Sequence, residues 1–439
     1  MGAYEDTIAY LAGLEASVGW DLKLERMREA LVRRGHPEAA FPALHVAGTN
    51  GKGSTAAMLD AVLRAAGYRT GLYTSPHLVD FAERIRIDGR TIPRSTVVAL
   101  VAELRADLAA AGIALTHFEF ATLLACEWFR QIGVDVGVIE VGLGGRLDAT
   151  NLVRPIVSCI TSIGHDHEAY LGHDLAAIAG EKAGILKPRV PLALGPTPPA
   201  AEAVIRRRAA EMNVAVTRAG VDARLEESPG GFRFCGPGVV WEGLRLGLQG
   251  GFQRDNASVA LTALALVGDR LPCGSEAVRQ GLATVVWPGR LARLRERPLV
   301  LLDGAHNPEG IEALAAELPA LVGGRRVMLV FAVMADKAWQ AMLRTLVPQI
   351  AAAIVTHVGR RGLAPDALAA ALAGRVPVDP IGDARAALRA ALSRAGADDA
   401  VLVTGSLFLV GEAYAELGSG GSLFEPWHGP KSDGTEAHL

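Results

Sequence analysis

Short apolar segments alternate with helical segments along most of this chain, and the alternation constrains its fold more than any other feature. Residues 134–141 and 156–163 are runs rich in Val and Ile that carry few polar side chains. Residues 54–66 instead repeat apolar side chains every three or four positions, the spacing of an amphipathic helix. Strands that are apolar on both faces occur in parallel sheets covered by helices on both sides. We therefore predict an α/β protein with a largely parallel sheet, beginning at a strand over residues 42–47.

The chain of 439 residues is longer than a single compact core usually holds, so two domains are expected. Residues 221–248 change to short alternating segments broken by Pro-Gly-Gly and Gly-Pro-Gly, which predict antiparallel hairpins. The charged segment 290–298 ends in Pro, and a second alternation of strands and helices follows it. Its strands are predicted at residues 299–302, 327–333, 352–357 and 400–404. We place the domains at 1–296 and 297–425, followed by a flexible tail at 426–439.

Composition limits the classes of partner. The formal net charge of −3 provides no broad electrostatic field for a nucleic acid or an anionic membrane surface. The longest apolar run, Val327–Ala335, spans 9 residues, whereas a membrane-spanning helix needs about 20. The acidic N-terminus differs from a secretory signal peptide, and the cysteines lack the spacing of a metal site or a redox pair. We expect a cytoplasmic monomer with free thiols at Cys126, Cys159, Cys235 and Cys273.

The loop between the first predicted strand and helix has the features of a phosphate-binding site. Its sequence, HVAGTNGKGST over residues 45–55, departs from G-x-x-x-x-G-K-[ST] because Val46 replaces the first Gly and Gly53 follows Lys52. Its glycines allow backbone N–H groups to approach an anion, and the helix N-terminus adds partial positive charge. Lys52 supplies a charge for the phosphates and Ser54 a hydroxyl for a cation. A Gly-rich structural turn is the alternative interpretation.

Glu140 stands near the end of an apolar strand, where parallel sheets place ligands. A buried carboxylate there is costly unless it is paired or bound to a metal. Magnesium held by carboxylates and phosphate oxygens meets that need, and a salt bridge to Lys or Arg is the alternative. The glycines that follow form a turn that presents Arg146 and Asp148.

Two further polar segments follow predicted strands. Residues 162–168 contain His165, Asp166 and His167, and a histidine there can bind a metal or orient a phosphate. Lys182 lies downstream, and a solvated surface lysine is its alternative interpretation. The turn at residues 303–308 packs several polar groups against Pro308, which starts a helix, and a plain turn would also explain it.

Eight motifs occur in the order HVAGTNGKGST, YTSPHL, EVGLGGRLDATN, GHDH, GEKAGI, QRDNA, WPGR and DGAHNP. Together they resemble the folylpolyglutamate synthase/dihydrofolate synthase family, which is related to the Mur ligases, and the matches span residues 19–411. The resemblance implies an N-terminal P-loop domain with a parallel sheet and a smaller C-terminal Rossmann-like α/β domain. ATP would bind in the cleft between them.

The resemblance also implies the reaction. ATP phosphorylates a carboxylate of the pterin substrate, and the amine of L-glutamate attacks the acyl phosphate to form an amide. The substrate is dihydropteroate, a reduced folate, or both, and two Mg²⁺ ions assist. No nucleic acid and no membrane is expected as a partner.

Site residues follow from the matched motifs. The residues implied to bind ATP are Asn50, Gly51, Lys52, Gly53, Ser54, Asn256, Arg290 and Asp303. The implied metal ligands are Ser54, Ser75, Glu140 and His167. The implied catalytic residues are Lys52, His167, Lys182, Asp303 and His306, where Lys182 matches a lysine that is carbamylated in the family.

The pterin pocket is the least regular part of the resemblance, because Lys23 stands where the family pattern has Gly. The residues implied to bind the pterin are Leu24, Glu25, Arg26, Thr116, His117, Phe118, Glu119, Leu147, Asp148 and Ala149. Phe118 and Phe120 could stack on a pterin or belong to the core.

Two other functions compete with this one. A Mur-type ligase acting on a UDP-linked substrate needs a UDP-binding domain before the P-loop, and the residues before His45 are too few for one. A P-loop kinase or regulatory ATP-binding protein would not need Glu140, His167 and Asp303 on two domains.

Overall fold

The computed structural model describes residues 2–18, 23–172, 174–359, 361–418 and 423–429. The strands are β1 Ala43–Ala47, β2 Thr70–Tyr73, β3 Ile85–Ile87, β4 Arg90–Thr91, β5 Val136–Glu140, β6 Pro155–Ile160, β7 Leu192–Leu194, β8 Val216–Arg218, β9 Arg224–Ser228, β10 Gly231–Gly236, β11 Val239–Leu244, β12 Ala292–Glu296, β13 Leu299–Leu302, β14 Val327–Phe331, β15 Ala352–Val355, β16 Val378–Pro380 and β17 Ala400–Thr404. None of the helices described is long and apolar enough to cross a lipid bilayer.

The helices pack on both faces of the sheets. They are α1 Ala3–Val18, α2 Glu25–Arg33, α3 Lys52–Ala65, α4 Arg94–Ala110, α5 His117–Ile132, α6 Glu168–Leu171, α7 Leu175–Ala183, α8 Pro199–Glu211, α9 Phe252–Leu266, α10 Ser275–Thr284, α11 Pro308–Val322, α12 Trp339–Leu346, α13 Pro365–Leu372, α14 Ala384–Arg394 and α15 Leu407–Leu417. The predicted α/β class is confirmed.

The largest sheet has eight strands in the order β4-β3-β2-β5-β1-β6-β7-β8, and only β3 and β4 run antiparallel to their neighbours. Strands β1 and β5 are buried along their whole length, as the apolar runs predict. Alternate side chains of β1 enter opposite cores, because successive strand residues point to opposite faces. Leu44 and Val46 pack with helices α3 and α9, whereas Ala43 packs with α2 and α5.

A three-stranded antiparallel sheet, β11-β10-β9, occupies the region where hairpins were predicted. Its apolar side is carried by Phe234 and Trp241, whose rings stack with centroids 5.4 Å apart. These residues join the core formed by α3 and α9.

The third sheet has six strands in the order β12-β13-β17-β14-β15-β16 and is parallel except for β12. The predicted strands at 299–302 and 400–404 match β13 and β17, while β14 and β15 end two residues earlier than predicted, at Phe331 and Val355. Because β12 pairs with β13, we propose that the domain boundary lies before Ala292 rather than between 296 and 297.

Residues 423–429, called the C-terminal strap below, run back along the N-terminal domain. Thr91 N donates to Glu425 O at 2.9 Å, and Trp427 N donates to Thr91 O at 2.8 Å. The Trp427 ring lies edge-on to Trp128, with centroids 5.6 Å apart. The predicted tail at 426–439 therefore begins within a hydrogen-bonded segment, and its residues 430–439 lie outside the described residues.

Candidate active site

The loops after β1, β2, β5 and β6 meet at one edge of the large sheet, because parallel strands end at the same edge. The turn after β13 faces them from the third sheet. Asn50 Nδ2 donates to Asn307 Oδ1 at 3.2 Å, and Asn307 Nδ2 donates to Asn50 Oδ1 at 3.0 Å. His165 N donates to Glu309 Oε1 at 2.8 Å. The phosphate loop and the DGAHNP turn are thus in direct contact.

The backbone of the phosphate loop passes too close to its neighbours for side chains. A Cβ on Gly48 would lie 1.9 Å from Thr161 Oγ1. A Cβ on Gly51, which has a φ of 85°, would lie 2.0 Å from Asn256 Oδ1. Asn256 is thereby placed beside the loop at the start of α3. Only glycine fits these two positions, which explains this part of the motif.

Gly53 explains why the loop departs from the common pattern. A Cβ at this position would lie 2.6 Å from the Trp287 ring. The ring therefore occupies the space that a Ser or Thr side chain would need. Trp287 comes from the WPGR motif, so the two unusual motifs depend on each other.

Replacing Gly53 by alanine is expected to raise the KM for ATP by about tenfold or more, because overpacking of this kind typically costs 1–3 kcal/mol. The measurement is the ATP dependence of ligation. Gly13→Ala is the matched control, since a Cβ in that helix meets nothing within 4 Å. An unchanged KM for Gly53→Ala would contradict the contact.

The half-buried Lys52 and the buried Lys182 converge on one carbonyl of the loop. Lys52 Nζ donates to Gly48 O at 3.0 Å and to Thr49 O at 3.1 Å, and Lys182 Nζ donates to Gly48 O at 2.9 Å. Burial lowers the pKa of both amines, that of Lys182 to about 7. Lys182 is only 4% exposed, which excludes the surface-lysine alternative.

Glu140 is a buried carboxylate at the end of β5. Its side chain is 4% exposed, and Oε2 accepts a hydrogen bond from Ser75 N at 3.1 Å. Burial raises the pKa of Glu140, while Lys52 and the Ser75 N–H oppose that rise. Over the described ranges, no Lys or Arg nitrogen lies within ion-pair distance of it. Ser75 and Glu140 line one pocket together with Gly53 and Arg290.

His167 lies in a side-chain cluster between the eight-stranded sheet and the six-stranded sheet. Asp166 is bonded by Lys337 Nζ and accepts from Asn307 Nδ2 at 3.3 Å, and His306 Nε2 lies 3.4 Å from Asp166 Oδ2. Burial opposes the effect, but the His306 hydrogen bond and the nearby positive charges hold the pKa of Asp166 well below its usual range. Asp166 therefore stays ionised and links Lys337, His306 and Asn307.

His167 itself is suited to binding a cation. Burial lowers its pKa to about 4, so the imidazole is neutral near pH 7 and keeps a lone pair. Its Nε2 lies 3.4 Å from Lys337 Nζ. Across the part of the chain that is described, three His, Cys, Asp or Glu side chains do not form a ready metal cluster, so hydroxyls and phosphate oxygens would have to complete the set.

Of the other residues expected to bind the nucleotide, Arg290 lines the same pocket and Asp303 is buried beside it. Asp303 is 4% exposed and accepts from Leu291 N at 2.9 Å and from Ala305 N at 2.8 Å. Burial raises the pKa of Asp303, and Arg290 opposes this. Arg290 Nη1 donates to Gly289 O at 2.9 Å, and Arg290 lines a pocket between Gly53 of the first domain and Leu407 of the second. Asp303 thus also stabilises its own turn.

The segments expected to bind the pterin are brought together. Arg26 Nε lies 2.9 and 2.7 Å from the two carboxylate oxygens of Glu119, and Thr116 and Glu119 form a capping box at the start of α5. Phe118 packs against Tyr73, and a Cβ on Gly142 would lie 2.4 Å from its ring.

The remaining pterin candidates are structural neighbours of these groups. Leu24 is buried and immediately precedes α2, and Glu25 is the first residue of that helix. His117 Nδ1 lies 2.9 Å from Leu11 O. Asp148 accepts from Leu143 N at 2.9 Å and so shapes the loop containing Leu147 and Ala149. Phe120 is 2% exposed and belongs to the core, not to a stacking surface.

Sequence reasoning missed Lys337 and the role of Asp166. Asp166 lies inside the GHDH motif, where its flanking histidines are the more obvious candidates. Lys337 follows β14 at the same sheet edge as Asp303, and that position was the available signal. Ser75 was found only through the resemblance, since Thr-Ser-Pro looks like an ordinary turn.

Comparisons with known proteins agree with this geometry. Residues 46–264 match the Mur ligase middle domain, and residues 289–407 match the Mur ligase, glutamate ligase domain. The chain is 37% identical over 433 residues to the dihydrofolate synthase/folylpolyglutamate synthase of Bacillus subtilis, covering 94% of this chain and 99% of that protein.

Solved structures show the same fold. Escherichia coli FolC in complex with DHPP and ADP matches with a TM-score of 0.86 at 36% identity, covering 93% of this chain and 96% of that chain. The bifunctional folylpolyglutamate synthase/dihydrofolate synthase of Yersinia pestis with AMPPNP and Mn ion matches with a TM-score of 0.84 at 35% identity, covering 94% and 98%.

Proposed function

Because this chain belongs to the folylpolyglutamate synthase/dihydrofolate synthase family and is an ATP-dependent ligase, we propose that it adds L-glutamate to dihydropteroate, to reduced folates, or to both. The observation that carries the proposal is the contact between the phosphate loop and the Asp166–Lys337–His306 cluster, because Asn307 Nδ2 donates both to Asn50 Oδ1 and to Asp166 Oδ2. A kinase or regulatory protein has no need for this second set of polar groups. The match to the glutamate ligase domain also argues against that alternative.

The phosphate loop is the proposed ATP site. Residues 50–54 would surround the phosphates with backbone N–H groups, and Lys52 would turn from its loop carbonyls toward them. Asn256, Arg290 and Asp303 would hold the rest of the nucleotide between the domains. The Yersinia pestis and Escherichia coli relatives, solved with AMPPNP and ADP, support a nucleotide here.

A divalent cation fits the donors beside the loop. Within the described part of the chain, the buried carboxylate of Glu140 forms no ion pair, and neutral His167 offers a nitrogen ligand. We assign Ser54, Ser75, Glu140 and His167 to two Mg²⁺ ions. When bound, the ions would offset negative charge on the phosphates. The Mn ion in the Yersinia pestis relative supports a divalent cation.

The chain's own residues would then position the two reacting groups. Lys52 would hold the γ-phosphoryl group while a substrate carboxylate oxygen attacks phosphorus and ADP leaves. The glutamate amine would attack the resulting acyl carbonyl and expel phosphate. Lys337 and His306, held by Asp166, would bind the carboxylates of glutamate and keep its amine near the acyl phosphate.

Lys182 is proposed to carry a carbamate. With a pKa of about 7, a large fraction of the amine is neutral at neutral pH and able to attack CO₂. Incubation with ¹³C-bicarbonate should give a carbamate carbon signal in NMR that disappears in Lys182→Met. Identical spectra for the two proteins would exclude the modification.

The pterin is proposed to lie among α2, the start of α5 and the loop at residues 142–149. Phe118 offers a half-buried ring, and Arg26 offers a charge already held by Glu119. Thr116, Glu119 and Asp148 chiefly fix the shape of this region through their hydrogen bonds.

Lys337→Met is expected to raise the KM for glutamate by about tenfold to a hundredfold, the usual range for losing a charge-assisted contact, and to leave the KM for ATP nearly unchanged. Initial rates at varied glutamate measure this. Arg344→Ala is the control, because it removes an exposed cation from α12, the next helix. Equal effects on both KM values would point to a general distortion of the cleft.

The direct test of the proposed function is a product assay. The protein is incubated with ATP, Mg²⁺ and glutamate, with dihydropteroate or tetrahydrofolate supplied separately, and the products are identified by mass. A mass increase of one glutamyl unit in either reaction supports the proposal and identifies the substrate. ATP turnover that does not depend on glutamate, with neither product formed, would overturn it.

A further inference from the structure

Arg86, on strand β3, is a buried cation with few hydrogen bonds. Its side chain is 3% exposed. Over the residues that are described, it donates one hydrogen bond, from Nη2 to Thr74 Oγ1 at 3.4 Å, and its Nε is buried without an acceptor. Buried polar groups in folded proteins almost always find partners, so the unpaired Nε requires an explanation.

Two aromatic rings hold this guanidinium in place. Its central carbon lies 4.8 Å from the Trp287 ring centroid and 4.2 Å from that of Phe424. Cation–π contacts stabilise the charge without using an acceptor atom. Within the described residues Nε is therefore left without an acceptor, and an anion placed near the guanidinium would be favoured.

The surroundings indicate which anion. Arg86 lines the same pocket as Gly53, Ser75 and Glu140, the residues assigned above to the phosphates and the metal. We propose that Arg86 binds the γ-phosphoryl group of ATP, and that the C-terminal strap belongs to the active site because its Phe424 holds Arg86. This inference rests on the proposed function of the pocket.

The strap is built to keep Phe424 there. Backbone hydrogen bonds with Thr91 fix Glu425 and Trp427 on either side of Pro426, and Trp427 packs on Trp128. The C-terminal strap thus contributes a side chain to a pocket lined mostly by the N-terminal domain. Phe424 acts through Arg86 and is a positioning residue.

The experiment compares the affinities for ADP and for AMPPNP, which differ by the γ-phosphoryl group, by calorimetry with Mg²⁺ present. Arg86→Gln should weaken AMPPNP binding by about tenfold or more, the effect of losing a charge-assisted contact, while ADP binding changes little. Phe424→Leu should also weaken AMPPNP binding, by about twofold to tenfold. Phe424→Tyr, which keeps a ring, should restore wild-type affinity. Arg90→Gln removes only the 3.4 Å ion pair with Glu425 outside the pocket and should match the wild type.

Equal losses for both nucleotides in Arg86→Gln, together with a lower midpoint of thermal unfolding, would overturn the proposal and make Arg86 a structural residue. The wild-type product assay separates this failure from a failure of the proposed function. Ligation by the wild type with no AMPPNP-specific loss in Arg86→Gln rejects the role of Arg86 alone. Absence of ligation by the wild type rejects the function on which it rests.

Discussion

Replacing Lys52 by alanine is expected to lower glutamate-dependent phosphate release by about a hundredfold to a thousandfold, nearly abolishing it. That is the usual effect of removing one preorganised charge-stabilising donor from an active site. The lysine is half-buried beside the loop and bonded to the carbonyls of Gly48 and Thr49, so it needs only a short reorientation to reach a phosphate. The measurement is steady-state release of phosphate with saturating ATP, Mg²⁺ and glutamate.

Two comparisons separate lost catalysis from lost structure. Lys52→Arg keeps the charge and should retain more activity than the alanine variant. It should be less active than wild type because a planar guanidinium fits poorly in a site shaped for a single ammonium group. The midpoint of thermal unfolding of Lys52→Ala should stay close to that of wild type. Near-wild-type turnover in a folded Lys52→Ala protein would refute the assignment of the loop.

Replacing Glu140 by alanine is the second change expected to nearly abolish phosphate release, and Glu140→Gln should do the same. The glutamine variant keeps an oxygen that can accept from Ser75 N and removes only the negative charge. Without that charge the pocket loses its main anionic ligand for Mg²⁺. The loss should persist at saturating ATP and be only partly reversed by excess Mg²⁺.

The Glu140→Gln substitution should leave the stability of the ligand-free protein unchanged or raise it, although it lowers activity. Burial raises the pKa of Glu140 in the folded chain above its value in the unfolded chain. The folded state therefore loses stability as the pH rises from the unfolded pKa through the folded pKa, because the buried side chain must then ionise. The ligand-free Glu140→Gln protein should therefore unfold at the same or a higher temperature than wild type at pH 7. Mg²⁺ with AMPPNP should stabilise wild type far more than the variant, and equal stabilisation would exclude Glu140 as a metal ligand.

Local sequence patterns were sufficient to predict the structural features that depend on one short segment of the chain. The apolar runs predicted β5 and β6, and the Pro-Gly breaks predicted the antiparallel sheet. Glu140 could be singled out because a carboxylate at the end of a buried strand needs a partner. These inferences depend on neighbours in the chain, which the sequence displays directly.

Residues whose importance depends on distant parts of the chain escaped prediction. Lys337 matters because it reaches Asp166, 171 positions away in sequence, and Phe424 because it lies on Arg86. Neither Lys337 nor Phe424 stands in a recognisable motif. The hydrophobic periodicity around them also gives no sign that they contact Asp166 and Arg86. The pairing of β12 with β13 likewise depends on how the chain turns at the domain junction.

By itself the sequence determined the α/β class, the phosphate loop and the strand-end carboxylate, since each follows from short-range periodicity and from what glycine or a buried charge requires. Only the tertiary structure decided why the loop is irregular, because Trp287 occupies the space beside Gly53. It also decided which cations face the cleft and that the C-terminal strap returns to the N-terminal domain. Those outcomes are set by packing between segments far apart in the chain, and such packing leaves no pattern in either segment alone.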